Sequence, residues 1–279
     1  MLGQGQHGSI VERVSADGSR LLSTTPLGAG VGGDLPILQA GHYVVMSASS
    51  KQLPSASGLA TLDRYVVLDT NGMLVRTVRV TVAGAGSGDA TGAWVETDNG
   101  TIGRLDPSSG RITHTTTLPN GAGVLDMAQG LGALWVVDNN NAALLELDPS
   151  TGAVRHTARL GANPAFGIGA LHVGDGAVYV SLSGGAIERF DAKTLAVTAV
   201  LRTHTHSDVA FAVDTAGGPI WVKLDKGVVA LLDPTTLAVE RNVQLYPALR
   251  NNGTAPLALS AHRLYDIDAD TSTLDSIPI

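Results

Sequence analysis

Cysteine is absent from the 279-residue sequence, which excludes disulfides, thiolate metal sites and cysteine nucleophiles. Aromatic residues are few, at 3 Phe, 3 Trp and 5 Tyr. Charged residues make up 15% of the chain, well below the usual quarter or so, and no apolar run is long enough to span a membrane. Turn formers are abundant, with 34 Gly and 12 Pro. This composition excludes disorder, a coiled coil and collagen, and it favours an all-β fold of many short strands.

The charge balance and the N-terminus limit the possible partners. The formal charge of −7 is spread along the chain, without the clustered Lys and Arg that a nucleic-acid groove needs. The opening MLGQGQHGS has no basic segment leading into an apolar core, so we expect no signal peptide at this N-terminus. The sequence therefore predicts no nucleic-acid partner and no direct insertion of this chain into a membrane.

The main signal in the sequence is an internal repeat. Four segments share the order Gly, a short strand with an aromatic residue, a polar turn, a strand ending in Leu-Asp or Phe-Asp, a turn and a third strand. Their aromatic residues lie 41, 44 and 42 positions apart, and each is followed after 12 or 13 positions by a turn aspartate. The aromatic residues are Trp94, Trp135, Tyr179 and Trp221, and the aspartates are Asp106, Asp148, Asp191 and Asp233.

Each repeat has the length and content of a propeller blade. Another apolar strand precedes each aromatic strand, which makes four short strands per unit. A single sheet of this kind exposes an apolar face on each side, and packing such sheets face to face in a ring buries both faces. We therefore predict an all-β, six-bladed β-propeller of four-stranded antiparallel blades, formed by residues 1–279 as one domain and a monomer. The aromatic residue of each second strand is predicted to wedge between blades.

The two ends of the chain decide the predicted blade count. Tyr43 and Tyr265 mark a noisier unit on each side of the four, which gives six. The N-terminal strands SIVERV and RLLSTTPL look like the outer half of a blade, and the C-terminal strands PLALSA and HRLYDID look like the inner half. We expect these halves to form one composite closing blade. Counting the turn positions instead gives an alternative of seven blades, and the segment TSTLDSIPI is left over.

The repeat resembles the bacterial six- and seven-bladed propellers of the NHL, PQQ-like and virginiamycin B lyase-like superfamilies. The resemblance covers nearly the whole chain, but it concerns architecture alone. The lyase family's P-H-G-I segment corresponds here to NPAFGIG, which lacks the histidine, and the adjacent cysteines of many quinoproteins are missing. No acid–base residue or cofactor is therefore carried over, and we expect no cofactor. These families include sensor domains, scaffolds and enzymes, so the fold does not choose a function.

In such a fold, the turns between second and third strands share one rim with the connections between blades. Short amide and carboxylate side chains on that rim can hydrogen-bond a ligand, although Asn, Asp and Gly are also what tight turns require. We predict a ligand-binding rim without a resident metal and without assigned catalytic residues. Its candidate residues are Asp98, Asn99, Asn139, Asn140, Asn163, His204, His206, Asp208, Lys226 and Asn251.

We expect a non-enzymatic binding propeller, the sensor or interaction domain of a bacterial surface or secreted protein. Its partner is predicted to be a protein or a cell-surface glycan. One alternative is a lyase or hydrolase at the channel mouth, because His204, His206 and Asp208 alternate and can face one metal or substrate. A solvated histidine pair explains the same motif. A second alternative is a scaffold that binds a protein through the insertion at residues 47–61.

Overall fold

The computed structural model describes most of the chain. The described residues are 2–5, 8–14, 20–28, 37–55, 58–82, 84–164, 171–203, 211–213, 220–224, 228–245, 257–260, 263–268 and 273–278. They form seven antiparallel sheets, named A to G here in chain order. Sheets B to F have four strands each, which confirms the predicted all-β fold of four-stranded antiparallel sheets, and sheets A and G have three described strands each.

The chain divides into two compact units, of which the first is residues 1–124 together with the turn Pro149–Ala153. This unit contains sheets A, B and C and a single-turn 3-10 helix at Pro119–Gly121. Its strands are β1 Leu2–Gly5, β2 Gly8–Val14, β3 Leu21–Gly28, β4 Ile37–Ala40, β5 Tyr43–Ser55, β6 Gly58–Asp69, β7 Leu74–Val80, β8 Gly86–Gly88, β9 Ala93–Asp98, β10 Thr101–Asp106 and β11 Arg111–Thr117.

The second unit is Leu125–Asp148 and Val154–Ile279, and it contains sheets D to G. Strand β12 begins at the boundary between the units. The strands are β12 Val124–Gly130, β13 Ala133–Asp138, β14 Ala143–Leu147, β15 Val154–Arg159, β16 Leu171–Gly174, β17 Ala177–Leu182, β18 Ala186–Asp191, β19 Val197–Arg202, β20 Phe211–Val213, β21 Ile220–Lys223, β22 Val228–Leu232, β23 Val239–Gln244, β24 Ala258–Ser260, β25 Arg263–Asp268 and β26 Thr273–Pro278.

Burial follows the position of a strand within its sheet. Every residue of β13 and β17 is buried, because each of these strands has a neighbouring strand on both sides and is covered on both faces. Their sequences ALWVVD and AVYVSL accordingly read as continuous rather than alternating apolar runs. The outermost strands β15 and β19 alternate between exposed and half-buried positions instead.

Within each unit, the cores form where successive sheets face each other. In the first unit, Val45 and Val67 of sheet B pack with Val95 and Leu105 of sheet C. In the second, Trp135 of sheet D lies in one cluster with Val178, Val180 and Phe190 of sheet E. Sheets E and F, and then F and G, pack in the same way. The predicted face-to-face packing of sheets is therefore present between neighbouring sheets of each unit.

The four repeat aromatics are buried as predicted. Trp94 and Tyr179 are 0% exposed, and Trp135 and Trp221 are 1% exposed. Tyr43 is only half-buried. The buried aromatic residue of sheet B is Tyr65, on the third strand, and its hydroxyl donates to the Glu96 carbonyl at 2.7 Å. In the first repeat, the buried aromatic residue is therefore on the third strand instead of the second.

The composite closing blade is wrong for the described strands. Strands β1, β2 and β3 form a sheet of their own, and so do β24, β25 and β26. The leftover segment explains the difference, because all six residues of Thr273–Pro278 pair with β25 and give sheet G its own third strand. The described strands thus make seven sheets, the number of the alternative count, and the prediction of six blades is not confirmed.

The insertion at residues 47–61 is also different from the predicted loop. Strands β5 and β6 continue through it as one long hairpin, with backbone pairs as far as Ser55 and Gly58. The register shifts once, between Ser49 and Gln52, so the extension contains a bulge. Strand formation here satisfies the backbone hydrogen bonds that an extended loop would leave to water.

Candidate binding site

The candidate site residues lie in turns and connections at the ends of sheets, some in the first unit and some in the second. Because successive strands of a sheet run antiparallel, the turn between its second and third strands lies at the same end as the segment that enters its first strand. Five predicted site residues fall on such turns or connections in the described part of the chain. They are Asp98, Asn99, Asn139, Asn140 and Asn163.

Asp98 and Asn99 form the turn between β9 and β10. Both are exposed, and the Asn99 backbone N–H donates to Asp98 Oδ1 at 2.8 Å. Gly100 closes the turn at φ +65°, and a Cβ there would lie 2.5 Å from the Ala122 carbonyl oxygen. A non-glycine residue is therefore both strained and crowded at this position. The tight turn presents the Asn99 side chain to solvent.

Asn139 and Asn140 lie in the turn after β13, which Asp138 organises. Asp138 is 2% exposed, and its Oδ1 accepts the backbone N–H groups of Asn140 at 3.0 Å and Asn141 at 3.2 Å. Its Oδ2 accepts the Asn141 side-chain amide at 2.7 Å. Asn140 is exposed and Asn139 is half-buried. The Asp138 carboxylate is thus hydrogen-bonded within its own turn.

Asn163 lies in the connection from sheet D to sheet E. Its carbonyl accepts the backbone N–H of Ser183 at 2.9 Å and the Ser183 hydroxyl at 3.1 Å. Ser183 follows β17, so this pair of hydrogen bonds ties the connection to the turn between β17 and β18. The Asn163 residue itself is exposed. The five described residues therefore lie in two turns organised by aspartate carboxylates and in one connection tied to a neighbouring turn.

The other five predicted site residues lie outside the described residues. They are His204, His206, Asp208, Lys226 and Asn251. Within the ranges that the structure describes, no group of three or more His, Cys, Asp or Glu side chains could hold a metal ion. The catalytic alternative depends on the first three of these residues, so it remains a prediction.

Buried charged side chains near these turns were missed by the sequence reasoning. Glu96 is 6% exposed, and burial raises the pKa of its carboxyl to about 7. The Gly100 N–H, which hydrogen-bonds to the carboxylate, opposes this rise, and the nearby charge of Asp98 adds to it. Glu188 is also 6% exposed, and its Oε2 accepts the Gly161 N–H at 3.1 Å. In the sequence, both residues stand in the middle of short strands, AWVETD and AIERFD, that contain other charged residues and do not set them apart.

Asp126 has a comparable role between two sheets of the second unit. It is 8% exposed on β12, the first strand of sheet D, and its Oδ1 accepts the N–H of Met127 at 2.8 Å. Its Oδ2 accepts the N–H of Leu171, in the first strand of sheet E, at 3.0 Å. This carboxylate therefore links neighbouring sheets, and nothing local in the sequence VLDMAQ distinguishes it from an exposed aspartate.

The turns at the opposite ends of the sheets have a structural role. Asp106 accepts the Ser108 and Ser109 hydroxyls, both at 2.6 Å, and these bonds hold the pKa of its carboxyl at about 2. Hydrogen bonds from the Thr194 backbone and hydroxyl likewise lower the pKa of Asp191. The equivalent bonds from Thr236, the hydroxyl first, lower that of Asp233. The repeated aspartates thus stabilise turns, as their spacing predicted.

The fold is shared with solved structures of low sequence identity. The crystal structure of BamB from Moraxella catarrhalis matches with a TM-score of 0.62 and 16% identity, covering 100% of this chain and 94% of that one. The crystal structure of the computationally designed Ika8 protein matches with a TM-score of 0.63 and 14% identity, covering 100% and 95%. Together with the sequence repeat, these likenesses support a β-propeller repeat protein.

Residues 77–216, half of the chain, match the family described as "Repeat of unknown function (DUF6923)", and the chain belongs to this family. The match supports a repeat protein but does not select one of the three propeller superfamilies that the sequence resembles. No curated protein matches the chain significantly. In the described residues, no helix is both long enough and apolar enough to cross a membrane.

Proposed function

We propose that this chain is a non-enzymatic binding domain, a single propeller spanning residues 1–279 that acts as a monomer in a bacterial surface or secreted protein. Its ligand is a protein segment or a cell-surface glycan. The binding residues are Asp98 and Asn99 in the first unit and Asn139, Asn140 and Asn163 in the second, together with the predicted residues outside the described ranges. Each of the seven sheets is taken as one blade.

One observation supports a binding role over a catalytic one. The best-placed carboxylate of the described turns, that of Asp138, is buried and accepts three N–H donors from its own turn. Such a carboxylate is not available as a general base. Apart from the Asp98 carboxylate, the exposed polar side chains include amides, such as those of Asn99 and Asn163, which both donate and accept hydrogen bonds. This chemistry fits recognition of hydroxyl or peptide groups.

The test compares variants of the two ends of the sheets. A triple variant Asn99→Ala, Asn140→Ala, Asn163→Ala removes the exposed amides of the candidate site. A double variant Lys193→Ala, Thr235→Ala changes exposed residues in turns at the opposite ends and is the control. The immobilised proteins are tested on a bacterial glycan array and by cross-linking to surface proteins. We expect the triple variant alone to lose its ligand. Equal retention by all three proteins, or no specific ligand at all, contradicts the proposal.

A further inference from the structure

A group of large apolar side chains is exposed in the first unit. Most strongly exposed is Met73, at 63%, followed by Leu21 at 57% and Leu74 at 52%. Leu22 and Val75 are 44% and 41% exposed. These five residues belong to only two segments, the beginning of β3 and the beginning of β7 with the residue before it. Such a concentration of exposed apolar area is typical of an interaction site.

Two hydrogen bonds bring these segments together. Ser23 Oγ donates to the carbonyl of Asn71 at 3.3 Å, and Thr25 Oγ1 donates to that of Gly72 at 2.6 Å. Leu21 and Leu22 directly precede Ser23, and Met73 directly follows Gly72. The five apolar residues therefore border one surface between the outermost strands of sheets A and B, called the β3/β7 surface below.

The register of β7 places its apolar residues on this surface. Leu74 pairs with Leu68 and Arg76 pairs with Val67, so Val75 is the extra residue of a bulge. Leu68 packs in one cluster with Val11 of sheet A. Leu74 and Val75 thus lie on the face of sheet B that is turned toward sheet A. Both stay exposed because they lie at the outer end of that face.

Arginines from three strands share the same surface. Arg13 pairs with Ser23 in sheet A, and the Ser23 hydroxyl donates to the carbonyl of Asn71, in the turn before β7 of sheet B. Arg64 pairs with Arg79, and both lie on the same face of sheet B as Val66, which packs with Val11. Of the two acidic residues in the strands of sheet B, only Asp69 lies close enough to offset part of this charge, against three arginines. Asp63 lies on the opposite face, and Asp69 Oδ1 accepts the backbone N–H groups of Asn71 and Met73 within its turn. The surface is therefore basic and apolar on a chain of net charge −7.

Strand β7 also offers backbone groups for pairing. It is the last strand in the order β4-β5-β6-β7, and no other described strand pairs with its outer edge. Its sequence LVRTVRV has neither proline nor lysine, the residues that commonly block an edge, whereas β3 contains Pro26. An extended peptide can therefore hydrogen-bond to β7 and place alternate side chains on the β3/β7 surface.

We propose that the β3/β7 surface binds an extended partner segment, added as a further strand to the edge of β7, in which every second residue faces this surface and these facing residues are apolar at one end and acidic at the other. The apolar side chains cover Leu74 and Val75, and the carboxylates pair with Arg79 and Arg13. A lipid surface fits less well, because hydrocarbon cannot satisfy the backbone groups of the free edge. This inference deepens the proposed binding function, on which it rests, and adds a second surface to it.

The test uses a fluorescein-labelled peptide matched in length to the seven residues of β7, in which every second residue is valine in one half and glutamate in the other, with serine between them. Fluorescence anisotropy is measured with the full chain at low salt. We expect Val75→Asp and Arg79→Glu each to weaken binding by about tenfold or more, since each removes one of the two contacts. The control variants Val197→Asp and Arg202→Glu change exposed residues of β19, the outermost strand of sheet E, and leave binding unchanged. Thermal denaturation verifies that all four variants fold.

Two altered peptides separate the parts of the proposal. The same peptide with lysine in place of glutamate is expected not to bind, and N-methylation of alternate peptide bonds is expected to abolish binding by removing the strand pairing. Equal binding of both charge types, or indifference to the surface variants, overturns the inference. So does binding of anionic phospholipid vesicles without the peptide, which identifies a lipid site, or self-association relieved by Val75→Asp, which identifies a second copy. Loss of ligand in the asparagine triple variant, together with peptide binding that is indifferent to Val75→Asp and Arg79→Glu, would leave the proposed function standing and this inference refuted.

Discussion

The indole N–H of Trp94 donates to the carbonyl of Pro149 at 3.0 Å, and the two residues are 55 positions apart. The hydroxyl of Tyr179 donates to the carbonyl of Pro234 at 3.0 Å across the same separation. In both cases an aromatic residue on the second strand of one repeat donates a hydrogen bond to the proline carbonyl that follows the turn aspartate of the next repeat. The repeat therefore specifies a contact between sheets as well as the strands within one sheet.

Removing these donors is expected to destabilise the fold unequally. Tyr179→Phe keeps the ring, and the Pro234 carbonyl still accepts Arg189 Nε at 2.9 Å, so we expect a loss of about 1 kcal/mol. Trp94→Phe loses the donor and also leaves a cavity, so its expected cost is about 2–3 kcal/mol. Chemical denaturation of the two variants beside the wild type measures both values. Equal costs would show that the second donor to the Pro234 carbonyl, Arg189, is unimportant.

Gly152 provides a test of the packing around Trp94. It has φ +75°, and a Cβ there would lie 2.9 Å from the Trp94 ring. Gly176 has φ +68° with nothing within 4 Å of a Cβ, so it is a matched control. Both alanine variants pay about 1 kcal/mol for the left-handed backbone, and Gly152→Ala additionally displaces the ring at a cost of about 1–3 kcal/mol. We expect a lower melting temperature and altered tryptophan fluorescence for Gly152→Ala. Matching melting temperatures would contradict this contact.

The raised pKa of Glu96 predicts a pH dependence of stability. The carboxyl titrates near 4.5 in the unfolded chain and at about 7 in the folded one. Between these values the folded state keeps a proton that the unfolded state releases, so the free energy of unfolding falls as the pH rises from 4.5 to 7. The fall is on the order of 2–3 kcal/mol. Urea denaturation of wild type and Glu96→Gln at pH 5 and pH 8 measures it. We expect the variant to lack this decline in the free energy of unfolding. An equal decline in both proteins would show that Glu96 is not the group that titrates.

The sequence was sufficient to predict the features that recur in each repeat and depend on residues close together in the chain. The spacing of Trp94, Trp135, Tyr179 and Trp221 predicted their burial, because an aromatic residue at one strand position is buried wherever sheets stack. The turn aspartates were predictable for a similar reason, since Asp106 and its equivalents bond residues two and three positions ahead. Both are properties of a single repeat.

Features that depend on distant partners were not predictable. Tyr65 is buried on the third strand because its hydroxyl reaches the Glu96 carbonyl, 31 positions away. Likewise, TSTLDSIPI looks like a remnant until its pairing with β25 is known. Of the candidate site, the sequence indicated the turn positions but not that the buried carboxylate of Asp138 would be occupied by its own turn. That outcome depends on the backbone geometry of the folded turn.

Asp126 gives the sharpest test of a contact that sequence could not reveal. Its carboxylate accepts the Leu171 N–H, 45 positions away in the neighbouring sheet, while it is itself buried. Asp126→Ala leaves buried donors without this acceptor, and we expect a loss of about 2–3 kcal/mol. Asp98→Ala removes an exposed turn carboxylate and is expected to change stability by about 0.5 kcal/mol or less. Amide hydrogen exchange provides a local readout, since Leu171 should lose protection in Asp126→Ala more than the other amides of β16. Unchanged protection at Leu171 would mean that packing alone joins sheets D and E, and that the buried carboxylate has another role.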